Sequence, residues 1–127
     1  MQEDEIIART ALGEDNNAEG WTAIIWTIKN RVRKQSWWGK TYTNVCLYPY
    51  QFSCWINDRV GHENFKRLLT EPIPDDLKAI VNQVVLGNEP DPTEGATHYH
   101  AATVQRPSSF VGLIHVGQFG GNIFYKE

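Results

Sequence analysis

The sequence predicts an α+β domain with a helical majority. Three observations carry that prediction. Apolar residues recur at helical spacing from Ile6 to Val32. A second amphipathic run follows in Leu77, Ile80, Val81, Val84 and Val85. The strand-like segments are short and lie mostly late in the chain, after the helices rather than alternating with them.

Taken in order, Ile6, Ile7, Thr10, Ala11 and Gly13 form a short apolar stripe and define the first helix. Gly13 and the Asp15-Asn16-Asn17 run break it, which puts Glu14 at the end of an apolar helix beside a cleft-forming turn. Asn16 or Asn17 suits the cap of the next helix. Trp21, Ile24, Ile25, Ile28 and Val32 lie on one face of that helix, while Ala23 and Trp26 make a second face apolar. A helix apolar on more than one side runs through the centre of a domain. Lys34-Gln35-Ser36 ends the pattern, and Trp37-Trp38-Gly39 opens a loop in which at least one ring must pack or bind. Thr41 to Leu47 makes one helical turn with Thr43 as cap, and Pro49 stops it. Gln51 to Trp55 alternates polar and apolar residues and predicts a short strand. Asn57 to Glu63 is a polar loop, and Phe65 to Leu69 starts a helix that ends before Pro72. Asp75 caps the helix that Gly87 closes. Asn88 to Gly95 is an acidic, proline-rich connector. Ala96 to His100 has strand character, Val104 to Ser109 is a loop, and Val111 to Tyr125 reads as two strands around a Gly117–Gly121 turn.

The 127 residues suffice for one domain, spanning 1–127. With 12 basic and 15 acidic residues, net charge -3 argues against nucleic acid as a partner. No apolar run reaches the roughly 20 residues that span a bilayer, so membrane insertion is not expected. The acidic start, MQEDEIIA, lacks the plan of a signal peptide. The expectation is a product made in the cytoplasm and used elsewhere, or a domain trimmed from a longer protein. Aromatic residues make up 12% of the chain, enough for a packed core or a groove of rings that stack on sugars. Two cysteines, Cys46 and Cys54, are expected as free core thiols, with one bridge across a turn as the alternative.

Two clusters can carry chemistry. Burial at the helix end disfavours the charged form of Glu14 and raises its pKa, as a general acid requires. On a strand, His98 and His100 share one face and Tyr99 takes the other. The pair is a possible start of a metal site, with His62, His115 or a distant carboxylate as third ligand, but no HExxH or CxxC supports it. No metal and no cofactor are expected. The chain has no GxSxG elbow, phosphate loop or GxGxxG. Cys46, flanked by Val45 and Leu47, has the setting of an inert packing thiol.

Four blocks occur together in order. They are Ala8–Glu14 with Ile28–Val32, then Pro49–Cys54, then Gly95–His100, then Gly120–Tyr125. In this the chain resembles the SleB-type cell-wall hydrolases, which include spore-cortex lytic enzymes and phage endolysins. The resemblance implies a lysozyme-like fold with short β segments lining a cleft. It implies cleavage of peptidoglycan glycan strands between N-acetylmuramic acid and N-acetylglucosamine, by a lytic transglycosylase or a muramidase. It places Glu14 on the catalytic glutamate, and Gln51, Phe52, Ser53, Thr97, His98, Tyr99 and Tyr125 on substrate-binding positions. The implied partner is a glycan strand met by a monomer, and the implied setting is a phage endolysin reaching the wall or periplasm from the host cytoplasm. Two departures stand out: Asp15-Asn16-Asn17 replaces a small and basic run, and Asn122 replaces a common His. No Asp or Glu lies in the three later blocks, so Glu14 lacks an obvious second carboxylate, with Asp15, Glu19 and Asp58 the residues to search. A wall-binding module without activity, and a metal-dependent amidase or peptidase using His98 and His100, are the alternatives.

Overall fold

A computed structural model describes residues 1–56 and 62–127. Of the polar loop read over Asn57 to Glu63, residues 57–61 lie outside the described residues, while His62 and Glu63 are helical. The described residues form five α-helices around one core: α1 (Glu3–Glu14), α2 (Ala18–Lys34), α3 (Tyr42–Leu47), α4 (His62–Thr70) and α5 (Asp75–Leu86). Strands β1 (His98–Ala101), β2 (Ile114–Phe119) and β3 (Asn122–Lys126) form an antiparallel sheet in the order β1-β3-β2.

Helix α2 is the central element, as its two apolar faces require. Ala23, Ile24, Ile25 and Ile28 are fully buried, and α1, α3, α5 and β2 pack around the helix. Asn17 caps it, accepting the Gly20 N–H at 2.8 Å. Arg31, Arg33 and Lys34 occupy its last turn, where the helix dipole favours cations. Its polar residues then reach across the core. Lys29 Nζ donates to the Val84 carbonyl at 2.5 Å, Asn30 Nδ2 to the Ala96 carbonyl at 2.9 Å and Arg31 Nε to the Thr97 carbonyl at 2.8 Å. Asn30 also donates to Asp91, which itself accepts from the Thr93 and Gly95 N–H groups. Buried polar groups must be satisfied, and these bonds fix the chain leading into β1. Arg9 does the same for α4, donating to the Leu68 and Glu71 carbonyls.

Three local expectations are corrected. Gln51 to Trp55 is not a strand: a turn leads into a 3₁₀ segment, Ser53–Trp55. Phe52 and Trp55 are three residues apart, which on a 3₁₀ turn puts both on one side; both pack on the core. Thr41, not Thr43, caps α3, because its hydroxyl meets the Asn44 N–H three residues on, at 3.1 Å. Asp75 begins α5 rather than capping it. Pro74 takes the cap position without a side-chain bond, and Asp75 and Asp76 lie in the first turn. The C-terminal hairpin forms with a tighter turn than the expected Gly117–Gly121: Gly117 to Phe119 pair within β2, Gly120 and Gly121 make the turn, and an extra residue between His115 and Gly117 shifts the register.

The α1–α2 connection is sewn to the β2–β3 turn. Asp15 Oδ2 accepts the Gly121 N–H at 3.0 Å and Asn122 Nδ2 at 3.3 Å, while Glu19 Oε1 accepts the Gly120 N–H at 2.9 Å. A Cβ on Gly120 would stand 2.5 Å from Asp15 Oδ2 and 2.8 Å from the Gly20 Cα, at a φ of 59°. Gly112 has a φ of 89° and open space around it. Gly112→Ala therefore costs about 1–2 kcal/mol, the left-handed backbone term alone. Gly120→Ala adds a clash with backbone and costs clearly more. Chemical denaturation of the two variants checks the order; equal losses would contradict the close approach.

Candidate active site

Glu14 is the last residue of α1, and its side chain is partly buried. The Tyr99 hydroxyl donates to Glu14 Oε1 at 2.6 Å. Strand β1 alternates, so Tyr99 leaves His98 and His100 behind it and packs on Phe124 and Phe52. The third wall is the Ser53–Trp55 turn. It comes close because residue 13 has no side chain: a Cβ there would lie 2.5 Å from the Cys54 Cβ. Trp55 Nε1 fastens the turn to α1 by donating to Thr10 Oγ1 at 2.8 Å.

These neighbours set the chemistry of the carboxyl group. Burial pushes the Glu14 pKa above its ordinary 4.5, and this effect wins. Hydrogen bonds from Tyr99, the Cys54 backbone and the Cys54 and Ser53 side chains pull it back down, in that order. Tyr99 is pushed well above 10, first by burial and then by the Glu14 charge, so it stays a donor at neutral pH. A partly desolvated carboxyl that keeps its proton longer than usual, with one oxygen held by a phenol, is equipped for proton transfer.

The structure brings Ser53, Tyr99 and Glu14 together. Ser53 is exposed, so its hydroxyl is open to a ligand. Phe52 lies beneath them, buried, with the Arg31 guanidinium 5.4 Å from its ring. Gln51 is reached by an Arg31 terminal nitrogen at 3.5 Å. Thr97 is fully buried, and its Oγ1 is 2.9 Å from His98 Nδ1. His98 and Tyr125 belong to the other face of the sheet. His98 packs edge-on between Trp38 and Phe110, and its pKa is lowered by burial and then by Arg31. Tyr125 is buried, with its hydroxyl 2.9 Å from His100 Nε2. His100 Nδ1 is 2.8 Å from the Ala101 carbonyl, so both ring nitrogens are engaged. Among the described residues, no group of three His, Cys, Asp or Glu is placed to hold a metal ion. The His62 side chain lies outside the described residues.

The carboxylates nearest in sequence serve the loop. Asp15 Oδ1 accepts from the Asn16 N–H and from Asn17 Nδ2, and its other oxygen takes the hairpin. Glu19 is committed to Gly120. Asp58 lies outside the described residues. Cys46 and Cys54 are free thiols, the first pushed up to about 12 by burial. Sequence reading did not anticipate Cys54 beside Glu14, or Arg31 as a buried cation stacked 4.9 Å over Trp38. Burial lowers the Arg31 pKa to about 10, which leaves it charged at neutral pH. The only available signal was an arginine one residue short of the end of an apolar stripe.

The model of a family described as Cell Wall Hydrolase matches residues 15–125, beginning one residue after Glu14. Two solved structures are similar throughout. One is the catalytic domain of the germination-specific lytic transglycosylase SleB from Bacillus anthracis, at 22% identity and a TM-score of 0.74, covering 99% of this chain and 96% of that one. The other is the catalytic domain of the SleB protein from Bacillus cereus, at 20% identity and a TM-score of 0.73, covering 98% and 89%. A comparison with curated proteins finds no match.

Because the folded carboxyl holds its proton more tightly than the unfolded one, ionising Glu14 opposes folding. Stability from this group is complete below pH 4.5 and is lost as pH rises through the folded pKa. Glu14→Gln therefore matches the wild type in acid and becomes the more stable protein as pH rises past 4.5. Thermal melts across pH check this; a pH-independent gap would contradict the raised pKa. Tyr99→Phe removes a bond that lowers that pKa, so a carbon-detected NMR titration finds Glu14 shifted further upward.

Proposed function

The chain belongs to the cell wall hydrolase family, and from that premise we propose that it is a lytic transglycosylase. It cleaves peptidoglycan strands between N-acetylmuramic acid and N-acetylglucosamine, with Glu14 as the one general acid and base. The observation that carries the reading is the Glu14 site: a carboxyl with a raised pKa, bonded to Tyr99, while Asp15 and Glu19 spend their oxygens on the hairpin. The shared fold of the two SleB catalytic domains supports it.

In this mechanism protonated Glu14 gives its proton to the glycosidic oxygen as the C1–O bond breaks. The resulting carboxylate takes the proton of the muramic 6-hydroxyl as that oxygen bonds to C1. The product is a 1,6-anhydro end, and Glu14 returns to its starting form. No water is consumed, so the second carboxylate that positions or replaces water in a hydrolase is not needed. The internal hydroxyl is already held near C1, an advantage that intramolecular reactions express as very high effective concentration. Tyr99 holds Oε1, and Ser53 offers a hydroxyl at the rim. The same reading has a monomer act on a glycan strand, in keeping with a net charge of -3. Among the described residues no helix is long and apolar enough to cross a membrane. A phage lytic enzyme is the setting we propose; turnover of vegetative walls rather than spore cortex tests it.

Glu14→Gln keeps the shape and loses the transferable proton, so wall lysis falls by roughly 10²–10⁴-fold in a folded protein. Tyr99→Phe and Ser53→Ala each lose one neutral hydrogen bond of about 0.5–1.5 kcal/mol. Their rates fall by about tenfold at most. Turbidity assays on purified walls, paired with circular dichroism, check both. A folded Glu14→Gln protein with near-normal lysis would end the proposal.

A further inference from the structure

Beyond the Glu14 cleft, the short stretch from Trp37 to Tyr50 exposes three rings that the proposed chemistry does not use. Trp37 is 57% exposed and Tyr50 82% exposed. Tyr48 meets Trp37 edge-on, with ring centroids 5.4 Å apart. Single exposed aromatics are ordinary, but grouped ones mark a binding surface. Tyr50 is also held at a φ of 64°, a left-handed conformation that a bulky residue rarely takes. The turn around it closes through the Gln51 N–H on the Tyr48 carbonyl at 3.2 Å. The strained backbone turns an apolar ring toward water with no packing in return. Such strain persists where the surroundings impose it, and it clusters at ligand sites.

Polar groups underlie the rings. Arg31 is 5% exposed, yet beyond the bond to Thr97 its guanidinium has only the long contact to Gln51. Among the described residues no carboxylate pairs with it. Trp38, between Trp37 and Arg31, has a buried indole N–H without a partner among the described residues. Flat rings with a few convergent donors suit a ligand with apolar faces and an oxygen-rich edge. Along the chain, Tyr50 and Gln51 are followed by Phe52 and by Ser53 at the rim of the cleft.

We propose that Trp37, Tyr48 and Tyr50, with Gln51 and Arg31 at their base, form a distal glycan subsite on which an N-acetylhexosamine ring stacks. This rests on the reading of the chain as a glycan-cleaving enzyme. The subsite grips the strand away from the bond at Glu14 and sets the length of strand that is handled well.

The test separates binding from cleavage. In a Glu14→Gln background, retention on purified sacculi and titration with a soluble N-acetylglucosamine tetramer are measured for Trp37→Ala and Tyr50→Gly. Losing one stacked ring weakens binding by roughly threefold to tenfold. Tyr50→Gly also relieves the left-handed strain, so its melting temperature stays level or rises while binding falls. A merely structural Tyr50 would not produce that opposition. In the active protein both substitutions raise KM on walls and leave kcat unchanged. Wild-type retention in both variants, or no retention by Glu14→Gln protein at all, overturns the subsite. Ring-dependent binding in an active-site-intact protein that never lyses walls would retain the subsite and end the catalytic reading instead.

Discussion

The hydrogen bond from Tyr99 to Glu14 joins the two halves of the chain at the candidate active site. The partners are 85 residues apart, and the 2.6 Å between them leaves little tolerance. A carboxyl in that position is disfavoured by burial and tolerated because donors surround it. Everything that sets the end of α1 against the middle of β1 therefore acts on the acid. A shift of either element would trade one for another: more solvent and an ordinary carboxylate, or fewer donors and a proton held too tightly to give.

Two sets of contacts prevent such shifts. From below, the buried Asn30 and Arg31 side chains hold the Ala96 and Thr97 carbonyls, so α2 fixes the entry to β1. Each bond is individually modest, but removing a donor would leave a buried carbonyl bare. From the side, Asp15 and Glu19 hold the Gly120–Gly121 turn, which anchors the hairpin that pairs with β1. Glycines at 13 and 120 permit the close approaches that these bonds require. The carboxylates that flank Glu14 in sequence thus build its frame, with their oxygens committed to the loop and the hairpin turn. The departure at Asp15-Asn16-Asn17 falls in this frame, where Asp15 accepts from the hairpin and Asn17 caps α2.

Legibility in the sequence followed the range of the interaction. Helices α1, α2 and α5 were readable because a buried face repeats locally, and the burial of Ala23 and Ile24 on α2 matches its two apolar sides. The Gln51–Trp55 alternation misled because five residues fit a strand and a 3₁₀ turn alike; Phe52 and Trp55 decide it by packing, which no local pattern records. The Thr41 and Pro74 caps were missed by one or two positions, where capping depends on backbone angles rather than residue type. Glu14 was marked by its place at a helix end, but its meeting with Tyr99 came from the resemblance. Cys54 and Arg31 were silent, since nothing local shows that a thiol approaches a glycine or that a cation stacks under two rings.

The central claim is that one carboxyl suffices because the strand supplies its own nucleophile. Digestion of purified walls in ¹⁸O-labelled water, followed by mass spectrometry of fragments from the first turnover, tests it directly. The account predicts new muramic ends that carry no label and weigh one water less than hydrolysed ends. Labelled, reducing muramic ends would contradict it, because water would then be the attacking group and a second base would have to exist.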